Sequence, residues 1–187
     1  MKKRTTILII LIAAIVIAAI ACVSAYNSLV TARENVDTQF AAIETQLQRR
    51  NDLIPNVVNT VKGYASHESE VFGEVSNARA RLAGAATTEE TVEADAALTS
   101  AVSRLLMIAE NYPELKADTQ FTALTDELSG TENRIAVARK DYNDAAKSYN
   151  TMIKRFPKVL IAKMFDFETA EYFKAAEGAE QVPQVKF

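Results

Sequence analysis

An uncharged apolar run near the amino terminus most restricts what this chain can form. Residues 7–25 read ILIILIAAIVIAAIACVSA, with no charged side chain among them. A helix rising about 1.5 Å per residue covers the roughly 30 Å hydrocarbon layer of a bilayer over such a length. Because lipid offers the backbone no hydrogen-bond partner, a helix is the structure expected there. The sequence therefore predicts a transmembrane helix over residues 7–25, in contact with membrane lipid.

Three basic residues before this run set its expected orientation. Lys2, Lys3 and Arg4 lie on its amino-terminal side, and such residues remain in the cytoplasm. We therefore predict a cytoplasmic segment 1–6 at a bacterial inner (cytoplasmic) membrane. The main domain is then expected on the periplasmic or extracellular side.

Two processing events are alternatives to a retained anchor. Ala19 and Ala21 have the spacing of a signal-peptidase site, and Cys22 directly after them is a candidate lipidation site. A lipobox usually carries Leu where this chain has Ala19, and the apolar run exceeds an ordinary signal core. We expect the anchor to be retained, while cleavage and lipidation at Cys22 stay open.

Two heptad-like patterns predict long helices outside the membrane. Apolar or aromatic residues spaced alternately by three and four are typical of coiled-coil packing. The pattern after the anchor runs through Tyr26, Leu29, Arg33, Val36, Phe40, Ile43, Leu47, Arg50, Ile54, Val57, Val61 and Tyr64. The second, in which Thr131 is the clear exception, runs through Phe121, Leu124, Leu128, Thr131, Ile135, Ala138, Tyr142, Ala145, Tyr149, Met152 and Phe156.

These patterns predict an all-α protein. Its transmembrane helix continues into an antiparallel up-and-down four-helix bundle over residues 26–157, with long first and fourth helices. Two shorter helices, over about 67–82 and 88–111, begin after the N-cap candidates Ser66 and Thr88. Pro55 is expected to kink the first helix, and a break there is the alternative. The apolar segment 158–187 is expected to pack on the bundle, with the bilayer surface as the alternative.

The charge and the rarity of His and Cys exclude several classes of function. The chain after the anchor contains 18 basic and 24 acidic residues and has no stripe of basic residues. This composition argues against nucleic acid as a partner. Cys22 and His67 are the only residues of their types, so neither a disulfide nor a zinc cluster can form within the chain. His67-Glu68 resembles the start of a metalloprotease motif, but Val71 stands where the second His is required. We therefore predict no catalytic residue, metal or cofactor, and no enzyme.

The candidate interaction residues are Arg33, Arg49, Arg50, Asp52 and Pro55. Arg33 and Arg50 occupy apolar positions of the first heptad pattern, so each must find a carboxylate or reach water. The favoured interpretation places the guanidinium in solvent, and the alternative is a polar lock or partner contact. Tyr142 and Tyr149 are each followed by Asn, and they could form an aromatic recognition stripe. We favour core tyrosines with bonded hydroxyls, with the asparagine beside each on the polar side of the helix.

These motifs resemble the LemA family of bacterial membrane proteins. The longer matching segments are 26–30 (YNSLV), 46–58 (QLQRRNDLIPNVV), 61–65 (VKGYA), 111–116 (NYPELK) and 182–187 (VPQVKF). The resemblance covers nearly the whole chain and implies a single-span protein with a four-helix bundle. It implies no catalytic residue.

These features favour a scaffold or adaptor for an envelope protein complex. Its protein partner is not identified by the sequence, and a homo-oligomer stays open. The alternatives are an envelope hydrolase that uses acidic residues and an element that remodels the membrane surface.

Overall fold

A computed structural model of the protein describes residues 2–173, with side chains from Arg4 onward. The helices of this part of the chain are α1 (Lys2–Tyr64), α2 (Ser69–Ala83), α3 (Thr88–Ala109), α4 (Pro113–Lys116), α5 (Thr119–Lys154) and α6 (Lys158–Met164). The same residues contain no β-strand, so the all-α prediction is confirmed. Residues 174–187 lie outside the described residues, and with them the segment 182–187 and the last part of the segment 158–187 that was expected to pack on the bundle.

Helix α1 contains the apolar run and continues beyond it without interruption. Within the described chain it is the one helix long and apolar enough to cross a membrane, and its most apolar window is fully exposed. Pro55 lies inside α1, so the helix does not break there, although proline removes one backbone hydrogen bond. Ile54 and Val57 on either side of Pro55 are 0% and 1% exposed, and this packing holds the helix together.

Helix α3 begins with a capping box that differs by one residue from our expectation. The Thr87 hydroxyl accepts a hydrogen bond from the Glu90 N–H at 3.1 Å, and the Glu90 carboxylate accepts one from the Thr87 N–H at 3.2 Å. The N-cap is therefore Thr87, and the prediction of Thr88 was wrong. The prediction of Ser66 was also wrong, because Glu68 precedes α2 and makes no side-chain capping bond.

Helix α5 begins after Asp118 rather than at Pro113, which starts the short helix α4. The Asp118 carboxylate accepts hydrogen bonds from the backbone N–H groups of Phe121 at 3.0 Å and Gln120 at 2.7 Å, and a third from the Tyr64 hydroxyl. These bonds, above all the one from Phe121, lower the pKa of Asp118. The carboxylate therefore satisfies backbone donors that the first turn of a helix leaves free.

The chain divides into two compact units. Among the described residues, unit 1 consists of residues 2–40 and 141–172, and unit 2 consists of residues 41–140 and Phe173. The core of unit 2 draws on every helix within it, because burying apolar side chains from several helices together removes the most surface from water. Its fully buried members include Ile54, Val61, Val75, Leu98, Leu105 and Leu115.

Unit 1 packs α6 and the following segment against parts of α1 and α5. Leu29, Tyr149, Ile153 and Ile161 are buried there. Phe156 is 80% exposed, so the heptad pattern of α5 stops contributing to the core before that position, contrary to our expectation.

Helix α6 ends in a turn that leads into an extended segment. Asp166 adopts a positive φ of 51°, a conformation that Asp tolerates better than most residues. The Phe167 N–H donates to the Ala162 carbonyl at 2.9 Å, as in a Schellman-type helix end. The chain then continues without helix or strand, and we call residues 165–172 the strap.

Candidate functional site

A charge cluster at the centre of unit 2 joins α1, α3 and α5. The Arg50 guanidinium donates to the carboxylates of Asp95 and Glu132, the latter at 2.7 Å, and to the Thr99 hydroxyl at 3.1 Å. Arg139 of α5 pairs with the second carboxylate oxygen of Asp95. We call Arg50, Asp95, Glu132 and Arg139 the charge cluster. It contains two positive and two negative groups, so its formal charges balance.

Because Arg50 and Asp95 of the charge cluster are buried, each requires an opposite charge beside it. The side chains of Arg50 and Asp95 are 1% and 2% exposed, and an unpaired charge at such a position costs several kcal/mol. Burial first, and then the charge of Arg50, lower the pKa of Arg139, although a guanidinium remains protonated in proteins. Because each charge must meet its opposite, the cluster fixes which positions of the three helices lie side by side.

Arg33 and Arg50, the two arginines at apolar positions of the first heptad pattern, have different environments. The interpretation that placed the Arg50 guanidinium in solvent is wrong, since the Arg50 side chain is almost fully buried and its guanidinium is paired with Asp95 and Glu132. The Arg33 side chain is 47% exposed, pairs with Asp37 at 3.4 Å and lies over the Tyr149 ring at 5.9 Å. Periodicity assigned the two residues to equivalent positions, but only Arg50 faces acidic residues from two other helices.

The other candidate interaction residues lie near the outside of unit 2. Arg49 is 54% exposed and pairs with Glu127 at 2.5 Å, and Glu127 also pairs with Arg134 at 3.6 Å. Asp52 is exposed and accepts a hydrogen bond from Gln48 at 2.8 Å. We call Gln48, Arg49 and Asp52 of α1, together with Glu127 and Arg134 of α5, the α1 polar face. Pro55, half-buried one turn further along α1, is not part of it.

The strap is held by hydrogen bonds between its backbone and polar side chains of α5. The Asn150 side chain donates to the Ala170 carbonyl and accepts from the Ala170 N–H, both at 2.8 Å. The Tyr149 hydroxyl donates to the Glu168 carbonyl at 2.8 Å, and the Tyr142 hydroxyl donates to the Glu171 carbonyl at 2.9 Å. These bonds satisfy backbone groups that an extended segment cannot satisfy by itself.

The tyrosine interpretation that we favoured is therefore confirmed, but the expected place of Asn150 was wrong. Tyr142 and Tyr149 are core residues with bonded hydroxyls, and burial is the main cause that raises the pKa of Tyr142. Asn150 was expected on the polar side of the helix, and it is 5% exposed. Its position beside a core tyrosine was a signal that sequence reasoning overlooked.

The buried carboxylate of Asp95 is paired with both guanidinium groups of the charge cluster, those of Arg50 and Arg139. Among the described residues, no group of three His, Cys, Asp or Glu side chains is placed to hold a metal ion. Cys22 is exposed within the apolar part of α1. Whether the protein has an enzymatic activity, and whether Cys22 is lipidated, stay at the level of prediction.

Comparison with known families decides the classification. The model of the LemA family matches residues 39–187, which include the whole charge cluster and the strap. The chain belongs to the LemA family. With the candidate membrane-spanning part of α1, this identifies a membrane-associated helical protein of that family.

Three relatives show how far the LemA likeness extends. The chain is 27% identical to Magnetosome protein MamQ 2 of Paramagnetospirillum magneticum over 175 residues, 80% of this chain and 64% of the relative. It is 25% identical to Magnetosome protein MamQ of Magnetospirillum gryphiswaldense over 174 residues, 79% of this chain and 64% of the relative. It is 24% identical to Protein LemA of Metamycoplasma hominis over 152 residues, 81% and 69% of the two chains. The chain thus spans just under two thirds of the MamQ proteins.

Proposed function

We propose that this LemA-family protein is a membrane-anchored scaffold that presents a helical surface to a protein of the bacterial envelope. The amino terminus lies in the cytoplasm, α1 crosses the inner membrane, and the helical domain lies on the far side. The helices of unit 2 form an antiparallel up-and-down four-helix bundle. The basic residues before the apolar run and the shared core of unit 2 support this arrangement.

The charge cluster is the observation that carries the proposal. A scaffold needs helices whose relative positions do not change, and buried ion pairs that join α1, α3 and α5 oppose sliding of one helix past another. The cluster's own groups are engaged in these pairs. A partner must therefore bind elsewhere, on side chains that reach solvent.

We assign the partner contact to the α1 polar face. Arg49 and Asp52 are exposed on consecutive turns of α1, and their ion pair and hydrogen bond are too exposed to contribute much to folding. Charged groups arranged in this way give specificity to an encounter with a partner of complementary charge. Arg50 was among the candidate contacts, and we now assign it to the interior.

Site-specific photocrosslinking in intact cells tests the assignment. A photoreactive residue at Gln48 is expected to form an adduct with one envelope protein, and an Arg49→Ala substitution should reduce it. The matched control is Glu89, which is exposed at the start of α3 and outside the α1 polar face. Equal adducts at Gln48 and Glu89, or none at Gln48, would contradict the proposal.

The orientation has its own measurement. In a Cys22→Ser background, a Glu89→Cys variant should react with a membrane-impermeant maleimide added to intact spheroplasts. Reaction only after lysis would place the domain in the cytoplasm and reverse the proposed orientation.

A further inference from the structure

An exposed apolar surface remains in unit 1 beside α6. Leu160 and Met164 lie one turn apart on α6 and are 56% and 71% exposed, whereas Ile161 and Ala162 between them are buried. Phe156 before the helix and Phe165 after it are 80% and 53% exposed. We call Phe156, Leu160, Met164 and Phe165 the α6 surface. Large apolar side chains that are exposed together at one short helix are typical of a surface that meets another apolar phase.

The segment that contains the α6 surface is rich in basic residues. Between Asp144 and Asp166 the chain contains no acidic residue, and its basic residues there are Lys147, Lys154, Arg155, Lys158 and Lys163. An open cavity of about 500 Å³ next to Phe156 is lined by Lys147, Arg155 and Lys158, together with the hydroxyls of Ser148 and Thr151. Asp144 also lines it. Cationic and hydroxyl groups beside an apolar face suit the phosphate groups of anionic lipids.

Direct contacts connect α6 to the point where α1 leaves the apolar run. Tyr26 directly follows residues 7–25, and its ring centroid lies 4.8 Å from that of Phe165 and 5.8 Å from that of Phe167. Lys158 donates a hydrogen bond to Ser28 at 2.7 Å. Tyr26 and Ser28 lie within the first turn beyond the apolar run, which measures about 5.4 Å along the axis. The α6 surface is therefore at the depth expected for lipid headgroups.

We propose that the α6 surface is a second membrane contact, which inserts into the outer face of the bilayer and binds anionic lipid headgroups. The buried face of α6 packs on unit 1, and the opposite face enters the boundary between headgroups and acyl chains. A helix that lies in this interface buries apolar side chains and keeps its cations at the phosphates. This inference does not depend on the protein partner of the α1 polar face.

Depth-dependent quenching on the full chain tests the inference. Single cysteines are introduced in a Cys22→Ser background at Leu160 and, as a control, at Val137 of α5, which is 60% exposed in unit 2. Each is labelled with an environment-sensitive fluorophore in nanodiscs that hold one protein copy. The lipid is phosphatidylcholine and phosphatidylglycerol, with a shallow quencher. Quenching at Leu160 should exceed that at Val137 by roughly twofold or more, as expected for a label in the interface.

A charge-removal arm separates lipid binding from simple proximity. Arg155→Gln with Lys163→Gln should reduce quenching at Leu160, and nanodiscs of phosphatidylcholine alone should reduce it in the same way. Equal quenching at Leu160 and Val137 would overturn the inference. So would a blue shift of the Leu160 label that appears only when the nanodisc holds several protein copies, because a second copy would then be the occupant.

Discussion

Unit 2 buries charged side chains, whereas unit 1 buries neutral polar ones. Arg50 and Asp95 in unit 2 satisfy each other, and each needs an opposite charge at a defined position. Tyr149 and Asn150 in unit 1 satisfy backbone groups of the strap. The first arrangement specifies which side chains meet, and the second specifies only that a backbone passes in an extended conformation. Buried polar side chains therefore set the positions of the helices in unit 2, and in unit 1 they hold the irregular strap in place.

The largest expected effect concerns the charge cluster. Asp95→Ala leaves the guanidinium groups of Arg50 and Arg139 close together without their shared carboxylate, so it should lower the free energy of unfolding by about 3–5 kcal/mol. Urea unfolding of the full chain in nanodiscs, followed by far-ultraviolet circular dichroism, measures this loss. A loss below about 1 kcal/mol, the usual value for exposed pairs, would show that the cluster is not needed.

A variant in which apolar residues replace all four members of the charge cluster separates the stability of the protein from the specificity of its helix packing. The side-chain Nε atoms of Arg50 and Arg139 are buried without hydrogen-bond partners, so the cluster carries an uncompensated cost. A variant with Arg50→Met, Asp95→Leu, Glu132→Leu and Arg139→Met should recover most of the stability that Asp95→Ala loses. If it does, the cluster acts on specificity, and crosslinking at Gln48 should weaken although the protein remains folded.

A medium effect is expected where Asn150 holds the strap. Asn150→Ala removes two hydrogen bonds to Ala170 and should cost about 1–2 kcal/mol locally, because water can reach part of the freed backbone. Hydrogen–deuterium exchange should then accelerate at the Ala170 amide while α5 stays protected. Ser148→Ala, at an exposed site on α5, is the matched control and should leave that amide unchanged. An unchanged rate in Asn150→Ala would show that other contacts hold the strap.

The smallest effect is expected at Arg33, which tests the difference between the units most directly. Arg33→Ala removes an ion pair that is about half exposed, so its cost should stay below about 1 kcal/mol. The same urea titration, run beside Arg50→Ala, measures both variants. Equal losses would mean that burial does not distinguish the two arginines, and the comparison between the units would fail.

Periodicity predicted the helical elements because helix packing leaves a regular pattern of apolar residues. The heptad positions Leu29, Ile54, Leu128 and Ile135 are all buried, and the first helix does continue through Pro55. Periodicity failed at Phe156, because α5 ends at Lys154 and Phe156 lies in the turn that follows, where it is 80% exposed. A pattern of spacing shows which residues would share a face of a helix, and it does not show where that helix ends.

The candidate site was only partly predictable, because its partners lie far apart in sequence. Arg50 was identified from its position on an apolar seam, but nothing near it indicated Asp95 or Arg139. Thr99 was equally unpredictable, since its hydroxyl donates to the Asp95 carbonyl as a threonine on a helix ordinarily does, and nothing in the sequence showed that it also accepts from Arg50. The strap lacked a periodic pattern, and its contacts use backbone atoms whose position depends on the whole fold.

The hydrogen bonds that hold residues 168–171 of the strap do not depend on which side chains those residues carry. Asn150 and the two tyrosines contact the N–H and carbonyl groups of residues 168–171, which every residue type except proline provides in full. Related proteins can therefore differ throughout this stretch and still retain it, provided that proline never occupies position 170. The path of this stretch is therefore specified by the asparagine and tyrosines of α5, rather than by the side chains of the residues that they hold.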